Sequence, residues 1–317
     1  MLLSGLGSLV LSAVEVKTLH SHYKNTLRSL LKLPKDVPDP ALFFLAGSFP
    51  VEAYLHMRVL SNFSMICHLQ DNPLRSIAKN ALIRARPSSR SWFTMLRKLC
   101  IKYNLPHPLT LLDSPLPPSK FKSLYKQQIK EYWRVYLSEK CSALSSLQYL
   151  RAPYLSLTQP HPIFASLQGN PYELRAASLQ ALLLCGRYRT EKLLRHWSSN
   201  KEGFCLNSEC LNLKLVESRE HFLLHCGSFS EERRRLYRII SDFSADKPVL
   251  KNLLNKYFYT DDDTVKMQFI LDPSVLPQVI SAVQVFGGII HQYCLKVSRL
   301  WCRSLHAARM KKFDYAV

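Results

Sequence analysis

Apolar residues recur along most of this chain at spacings of three and four, the period that gathers side chains on one face of an α-helix. Over 15–33, Val16, Leu19, Tyr23, Leu27 and Leu30 make such a face, while Lys17, Lys24, Arg28 and Lys32 collect on another. Pro34 has no amide hydrogen to continue the ladder, so the helix ends there and 35–40 reads as a Pro-rich turn. Further helices are predicted over 51–69 and 78–83. Another runs to 103, with Ser88 and Ser89 as N-caps and Trp92, Met95, Leu96 and Leu99 on its buried side.

The stretch 105–118 holds five prolines and marks the first candidate boundary. Ser119 then caps the longest predicted helix, which runs to 147 with an apolar stripe of Phe121, Tyr125, Ile129, Tyr132, Trp133 and Tyr136. Beside that stripe Lys122, Lys126, Lys130 and Arg134 recur every fourth residue. Such a row is commonly a solvated face, but like charges at this spacing repel by a few tenths of a kcal/mol per pair, roughly, and a polyanion lying along them would relieve it. The stretch 151–169 is again Pro-rich, and its Pro160-His161-Pro162 echoes Pro106-His107-Pro108; both histidines read as turn residues.

Asn170-Pro171-Tyr172-Glu173 supplies an N-cap, a proline at the first helical position and a capping-box glutamate. That helix is expected to reach Cys185, with Gly186 as its left-handed C-cap. A helix over 231–241 carries Arg233, Arg234, Arg235 and Arg238, and 247–274 is less regular. The pattern over 275–312 is helical with a bend at Gly287-Gly288. The expected fold is mainly α: multi-helix, bundle-like segments with a small zinc-knuckle module. Four segments are expected, 1–110 helical, 111–185 a basic helical linker, 186–240 the Cys–His module with its basic and aromatic flank, and 241–317 a helical cap.

Composition narrows the function. Hydrophobic residues make up 47% of the chain and charged ones 21%, which is the balance of a chain that buries a core. Nine glycines stand against 18 prolines, favouring helices broken by turns over a glycine-rich sheet. Forty-three Lys and Arg against 23 Asp and Glu leave a formal charge of +20. An excess that large implies a polyanionic partner, and nucleic acid fits because the basic residues are interleaved with aromatics. A membrane is not expected as a partner, since no stretch has the length and polarity of a span. The apolar 1–16 segment mimics a secretory leader but lacks a basic start and is broken by Gly5, Gly7 and three serines.

Of the nine cysteines, Cys67, Cys100, Cys141, Cys185, Cys294 and Cys302 are scattered in apolar helical stretches, as small core residues are. The other three cluster. Cys205 and Cys210 are followed after ten residues by His221, then Cys226. Closely spaced cysteines can present two thiolates to one side of a turn, and a histidine and cysteine on a following helix complete a tetrahedron of the S and N ligands zinc prefers. With four protein ligands no position stays open for water chemistry, so the Zn2+ would be structural. His225 could replace Cys226, although a thiolate is the stronger ligand and His225 could serve as an outer or phosphate contact. The metal-type cluster and the scattered thiols point to a reducing compartment, nucleus or cytoplasm.

Just upstream Arg187, Arg189, Lys192 and Arg195 are interleaved with Tyr188, His196 and Trp197. Guanidinium groups hold phosphates and aromatic planes stack on unpaired bases, so the mixture suits RNA or single-stranded DNA. Tyr188 and Trp197 could equally anchor the Cys–His module to the preceding helix. Together with Arg233 and Arg234, the four basic residues, Tyr188 and the row from Lys122 to Arg134 form the expected nucleic-acid surface. Tyr259-Thr-Asp261-Asp262 has the form of a Tyr-x-Asp-Asp polymerase motif. Two-metal chemistry needs a further carboxylate on a nearby strand; no such strand precedes it, so the segment reads as a polar turn.

Several stretches carry a family likeness: Leu3-Ser-Gly-Leu-Gly-Ser-Leu-Val-Leu-Ser12, Phe44-Leu-Ala-Gly-Ser-Phe-Pro-Val-Glu-Ala53, Gly186-Arg-Tyr-Arg-Thr190, His196-Trp-Ser-Ser-Asn200 and Glu220-His-Phe-Leu-Leu-His-Cys226. The likeness runs on to Leu300-Trp-Cys-Arg-Ser-Leu-His306. In these the chain resembles the C-terminal part of the reverse transcriptase of non-LTR (LINE-type) retrotransposons, the part after the palm. The resemblance implies a thumb, a linker and a Cys–His knuckle that hold template RNA and target DNA during target-primed reverse transcription. The fingers and palm with their catalytic aspartates are missing, so the chain resembles a truncated copy. No catalytic residue and no polymerisation by this chain alone is expected, and a palm supplied by another chain is a candidate partner. The competing expectation is a protein-interaction module in which zinc stabilises a docking surface, favoured by the apolar helices from Val275 onward.

Overall fold

A computed structural model describes residues 6–69, 73–167, 171–194 and 202–313. It is mainly α, as the periodicity requires; the one β feature among the described residues is an isolated antiparallel bridge between Phe204 and Val216. Backbone contacts divide the chain into two units, Met1–Leu27 with Gly47–Glu139, and Arg28–Ala46 with Lys140–Val317. These boundaries are not those of the four segments expected from sequence, because 28–46 joins residues more than a hundred positions away.

The helices follow the apolar pattern closely, with corrections at their ends. The first is Ala13–Leu30, and Leu30 stands 65% exposed instead of closing the buried stripe. Pro73–Arg84 is twice as long as the pattern over 78–83 suggests. The cap of Trp92–Lys102 is Ser91, whose hydroxyl accepts from the Thr94 amide at 3.1 Å, with Ser89 bonded to the Thr94 hydroxyl. Pro118–Ser142 gives way to a 3-10 turn before 147, so the longest helix is Gly288–Phe313. The irregular stretch 247–274 contains two helices, Pro248–Tyr257 and Asp263–Leu271. Both Pro-His-Pro motifs start short helices, each histidine ring accepting from the amide two residues on.

In the first unit Leu60, Phe63, Leu82, Leu96 and Ile129 are fully buried, around a polar knot. Trp133 Nε1 donates to the Tyr103 hydroxyl at 3.2 Å, and that hydroxyl lies 2.6 Å from His56 Nδ1. Burial, then the Lys102 charge, lowers the His56 pKa to about 4, so the ring is neutral and accepts the tyrosine proton. Tyr103→Phe would leave two buried polar atoms unpaired. We expect it to lower unfolding stability by about 1–3 kcal/mol in denaturant titration, and an unchanged midpoint would contradict the knot.

In the second unit Gly288–Phe313 is packed against Pro171–Leu184, Asp263–Leu271, Ser230–Ser244 and Pro277–Phe286. Fully buried Trp301 meets the rings of Tyr237 and Phe258 at centroid distances of 5.1 and 5.0 Å, and those two rings meet each other at 5.4 Å. The expected bend is present: Gly287 has φ of 76°, a left-handed conformation that lets one helix stop and the next begin. A buried polar seam crosses this unit. His161 Nε2 meets Asp272 at 3.1 Å with both side chains wholly shielded, and Gln180 and Gln268 bond neighbouring carbonyls. Among the described residues no helix is long and apolar enough to cross a membrane.

Candidate metal centre

Cys205, Cys210, His221 and Cys226 come together in the second unit, with one ligand atom of each lying within 4.8 Å of all the others. Three local devices bring them there. The Cys205 amide donates to the Leu215 carbonyl at 2.8 Å and the Glu217 amide to Gly203 at 3.0 Å, so a short ribbon folds 203–217 back on itself. Cys210 sits on the one-turn helix Ser208–Asn212 inside that ribbon, and Asn207 Nδ2 donates to its sulfur at 3.4 Å. His221 and Cys226 flank a wide turn, His221–His225, closed by the Cys226 amide donating to the His221 carbonyl at 2.7 Å. Residues five apart on an α-helix stand about 140° apart around the axis; the wider i→i+5 turn narrows that angle and aims both ligands at one point.

The donors fit a metal ion. The four residues are buried, and Cys205 and Cys226 are wholly so. The Cys205 and Cys226 sulfurs are 3.5 Å apart, close to the edge of about 3.8 Å that a tetrahedron with zinc–sulfur bonds of about 2.3 Å requires. His221 Nε2 is shielded from solvent and has no hydrogen-bond partner among the described residues. A buried imidazole nitrogen without a partner is costly unless a cation takes its lone pair. The contact with Cys205 holds the Cys226 thiol down against the opposing effect of burial, with His221 assisting; the same contact and burial raise Cys205. His225 is not a ligand: it is exposed and faces Asp263 at 2.7 Å.

The outer contacts were not legible beforehand. Arg233, expected on the nucleic-acid surface, is buried and donates to the Cys226 carbonyl at 2.7 Å. Tyr188, expected to stack on a base, is buried too; its ring stacks on Phe222 at 5.1 Å and 14°, and its hydroxyl meets His306 Nδ1 at 3.0 Å. It anchors the module, the other role its position allowed. Arg309 holds Glu217 through two bonds, of 3.2 and 2.9 Å, and the Arg189 carbonyl through a third of 2.7 Å. Arg219 donates to the carbonyls of Ser146, Leu183 and Leu184 while lying over the Tyr149 ring. The centre is thus bound to the helices around it by ion pairs and carbonyl contacts that no local spacing announces.

The other expected nucleic-acid contacts are scattered. Lys122, Lys126 and Lys130 are exposed along Pro118–Ser142 in the first unit, whereas Arg134 is clamped by both Glu131 oxygens, at 3.0 and 2.7 Å. Arg187 is half-buried, Arg189 and Lys192 are exposed, and Arg234 is exposed but paired with Glu231 at 3.1 Å. Arg195, His196 and Trp197 lie outside the described residues, as does Asn170. Glu173 pairs with Arg299 at 2.8 Å, and the expected capping box, which needs Asn170, lies outside the described residues. In the Tyr-x-Asp-Asp segment Asp262 caps the Asp263–Leu271 helix, accepting from the Thr264 and Val265 amides at 2.8 and 3.1 Å.

No family model, no curated protein and no solved structure matches this chain.

Proposed function

We propose that this protein binds RNA or single-stranded DNA, mainly through phosphates, on a scaffold stapled by one structural zinc ion. The observation that carries the reading is the charge of +20 combined with cations that have no carboxylate to neutralise them. Lys122, Lys126 and Lys130 stand on one exposed helix face with no acidic partner among the described residues. Three sulfurs and one imidazole form the donor set that zinc takes in closed sites, which supports zinc over harder ions that prefer oxygen. In family terms the reading is a C-terminal, post-palm part of a LINE-type reverse transcriptase, without polymerase chemistry of its own, working in nucleus or cytoplasm. All nine cysteines are free and buried, which suits a reducing compartment.

Filter binding across a salt series tests the reading. With about five phosphates contacted, log affinity is expected to fall against log salt with a slope of about −3.5, from about −0.7 per contact on single strands. A slope near zero rejects it. A second reading, a docking module for a polymerase palm or another protein, draws on Val285, Phe286 and Ile289, which stand 74%, 54% and 51% exposed around the Gly287 bend. Competition between a partner domain and nucleic acid for the protein separates the two.

A further inference from the structure

The second unit contains a cavity of about 1030 Å³. Six cations line it, Arg28, Lys32, Arg175, Arg187, Arg189 and Arg309, beside Ser29, Ser178, Tyr188 and His306, with Asp36 the lone carboxylate. Two of the six are already engaged. Arg28 holds Asp39 at 2.7 Å, and Arg309 holds Glu217. Lys32, Arg175, Arg187 and Arg189 have no acidic partner among the described residues, and Arg187 Nε is buried without a hydrogen-bond acceptor. Four uncompensated cations around one concavity repel each other, and a buried guanidinium nitrogen with nothing to donate to is costly. Both penalties disappear when an anion with several acceptor oxygens enters.

The rest of the wall sets the kind of anion. Leu33, Leu179, Leu182, Leu194 and Met310 add apolar surface to the same lining. A free phosphate would leave that apolar surface bare, and a run of carboxylates alone has no apolar group for it. An unpaired nucleotide offers both parts, a base for the apolar side chains and phosphates for the guanidinium groups. A duplex cannot use the cavity, because its bases are stacked inside and only its backbone could reach the rim.

The shape is fixed by the backbone. The Arg187 amide donates to the Leu182 carbonyl at 2.8 Å, closing Pro171–Leu184, with Gly186 at φ of 63°. A Cβ on Gly186 would sit 2.9 Å from the Ser146 carbonyl oxygen, so the turn that presents Arg187 and Arg189 admits only glycine at that position.

We infer that this cavity takes unpaired nucleotides of a single strand, base against the leucine side chains and phosphates on Lys32, Arg175, Arg187 and Arg189, making the protein selective for single strands over duplexes. The inference rests on the nucleic-acid reading above and adds the place and the strand form. It is tested by fluorescence anisotropy on the full chain with a labelled twelve-nucleotide oligouridine and with the same strand annealed to its complement. Arg175→Ala with Arg189→Ala removes two exposed side chains and is checked for folding by circular dichroism. Arg238→Ala with Lys251→Ala removes two exposed cations away from the cavity.

The cavity variant is expected to bind the single strand about tenfold more weakly, with a salt slope shallower by about 1.4 from two lost contacts, and to bind the duplex unchanged. The control pair is expected to stay within about twofold of the unaltered chain, as cations off the contact path do. Unaltered protein that binds the single strand while the cavity variant binds it equally well overturns the cavity and leaves the broader reading standing. Equal losses in both variants, or equal affinity for strand and duplex, also overturn it. Absence of binding by the unaltered protein removes both readings together.

Discussion

Cys210→Ser is expected to abolish metal binding and to unfold the ribbon around 203–217, with the wide turn that follows, while total helicity changes little. The reason lies in where the ordering free energy resides. Residues 203–217 contain one isolated bridge and a one-turn helix, too little backbone bonding to hold a fold. Structural zinc contributes about 10–16 kcal/mol of apparent binding free energy in small sites, and most of that is folding free energy. Serine offers a poor ligand in place of a thiolate, and the Asn207 contact to the sulfur goes with it. The metal content of purified protein should therefore fall from one zinc per chain to none. Cobalt-substituted unaltered protein should show a thiolate-to-metal charge-transfer band that the variant lacks. Amide exchange should accelerate at Cys205 and Glu217, whose ribbon bonds depend on the metal centre. A variant that keeps its metal, or an unaltered protein that never carries any, would remove the metal centre from the account.

The same ligands show what a sequence of this kind reveals. Cys205, Cys210, His221 and Cys226 lie within 22 consecutive positions, so their spacing alone states that they can meet. The helices were legible for a related reason, since their period is written in neighbouring residues. What stayed hidden is pairing across distance. Glu217 and Arg309 are 92 residues apart and His161 and Asp272 are 111 apart, and nothing near either member points to the other. Burial is hidden in the same way. Arg233 and Tyr188 read as ligand contacts because arginine and tyrosine usually are exposed at such positions, yet each was needed inside, one on the Cys226 carbonyl and one on Phe222. The division into units was hidden most completely: the boundaries after Leu27 and Glu139 both fall inside continuous helices, where hydrophobic periodicity runs on without a break.

Asp272→Ala is the substitution expected to cost the second unit most outside the metal centre. The Ile163 amide donates to His161 Nδ1 at 3.2 Å, which places the imidazole proton on Nε2, facing the Asp272 carboxylate at 3.1 Å. The other Asp272 oxygen accepts from the amide of Ser274 at 3.1 Å and from its hydroxyl. Burial alone would raise the Asp272 pKa, but His161 and Ser274 outweigh it and the value is lowered. Alanine would leave three donors without this acceptor, the wholly shielded His161 Nε2 among them, a loss of about 3–5 kcal/mol for a broken buried pair, against a total stability of about 5–15 kcal/mol. Asp272→Asn keeps an acceptor oxygen for His161 and should lose less. The pH dependence follows from the sign of the shift: with a folded pKa below the unfolded one, the carboxylate's contribution is complete above the ordinary carboxylate range and fades as pH falls through the folded value. The gap in denaturation midpoint between unaltered protein and Asp272→Asn is therefore expected to be widest near neutral pH and to shrink below about pH 4. An alanine variant within about 1 kcal/mol of the unaltered chain, or a gap that grows on acidification, would show that the seam does not hold the unit together.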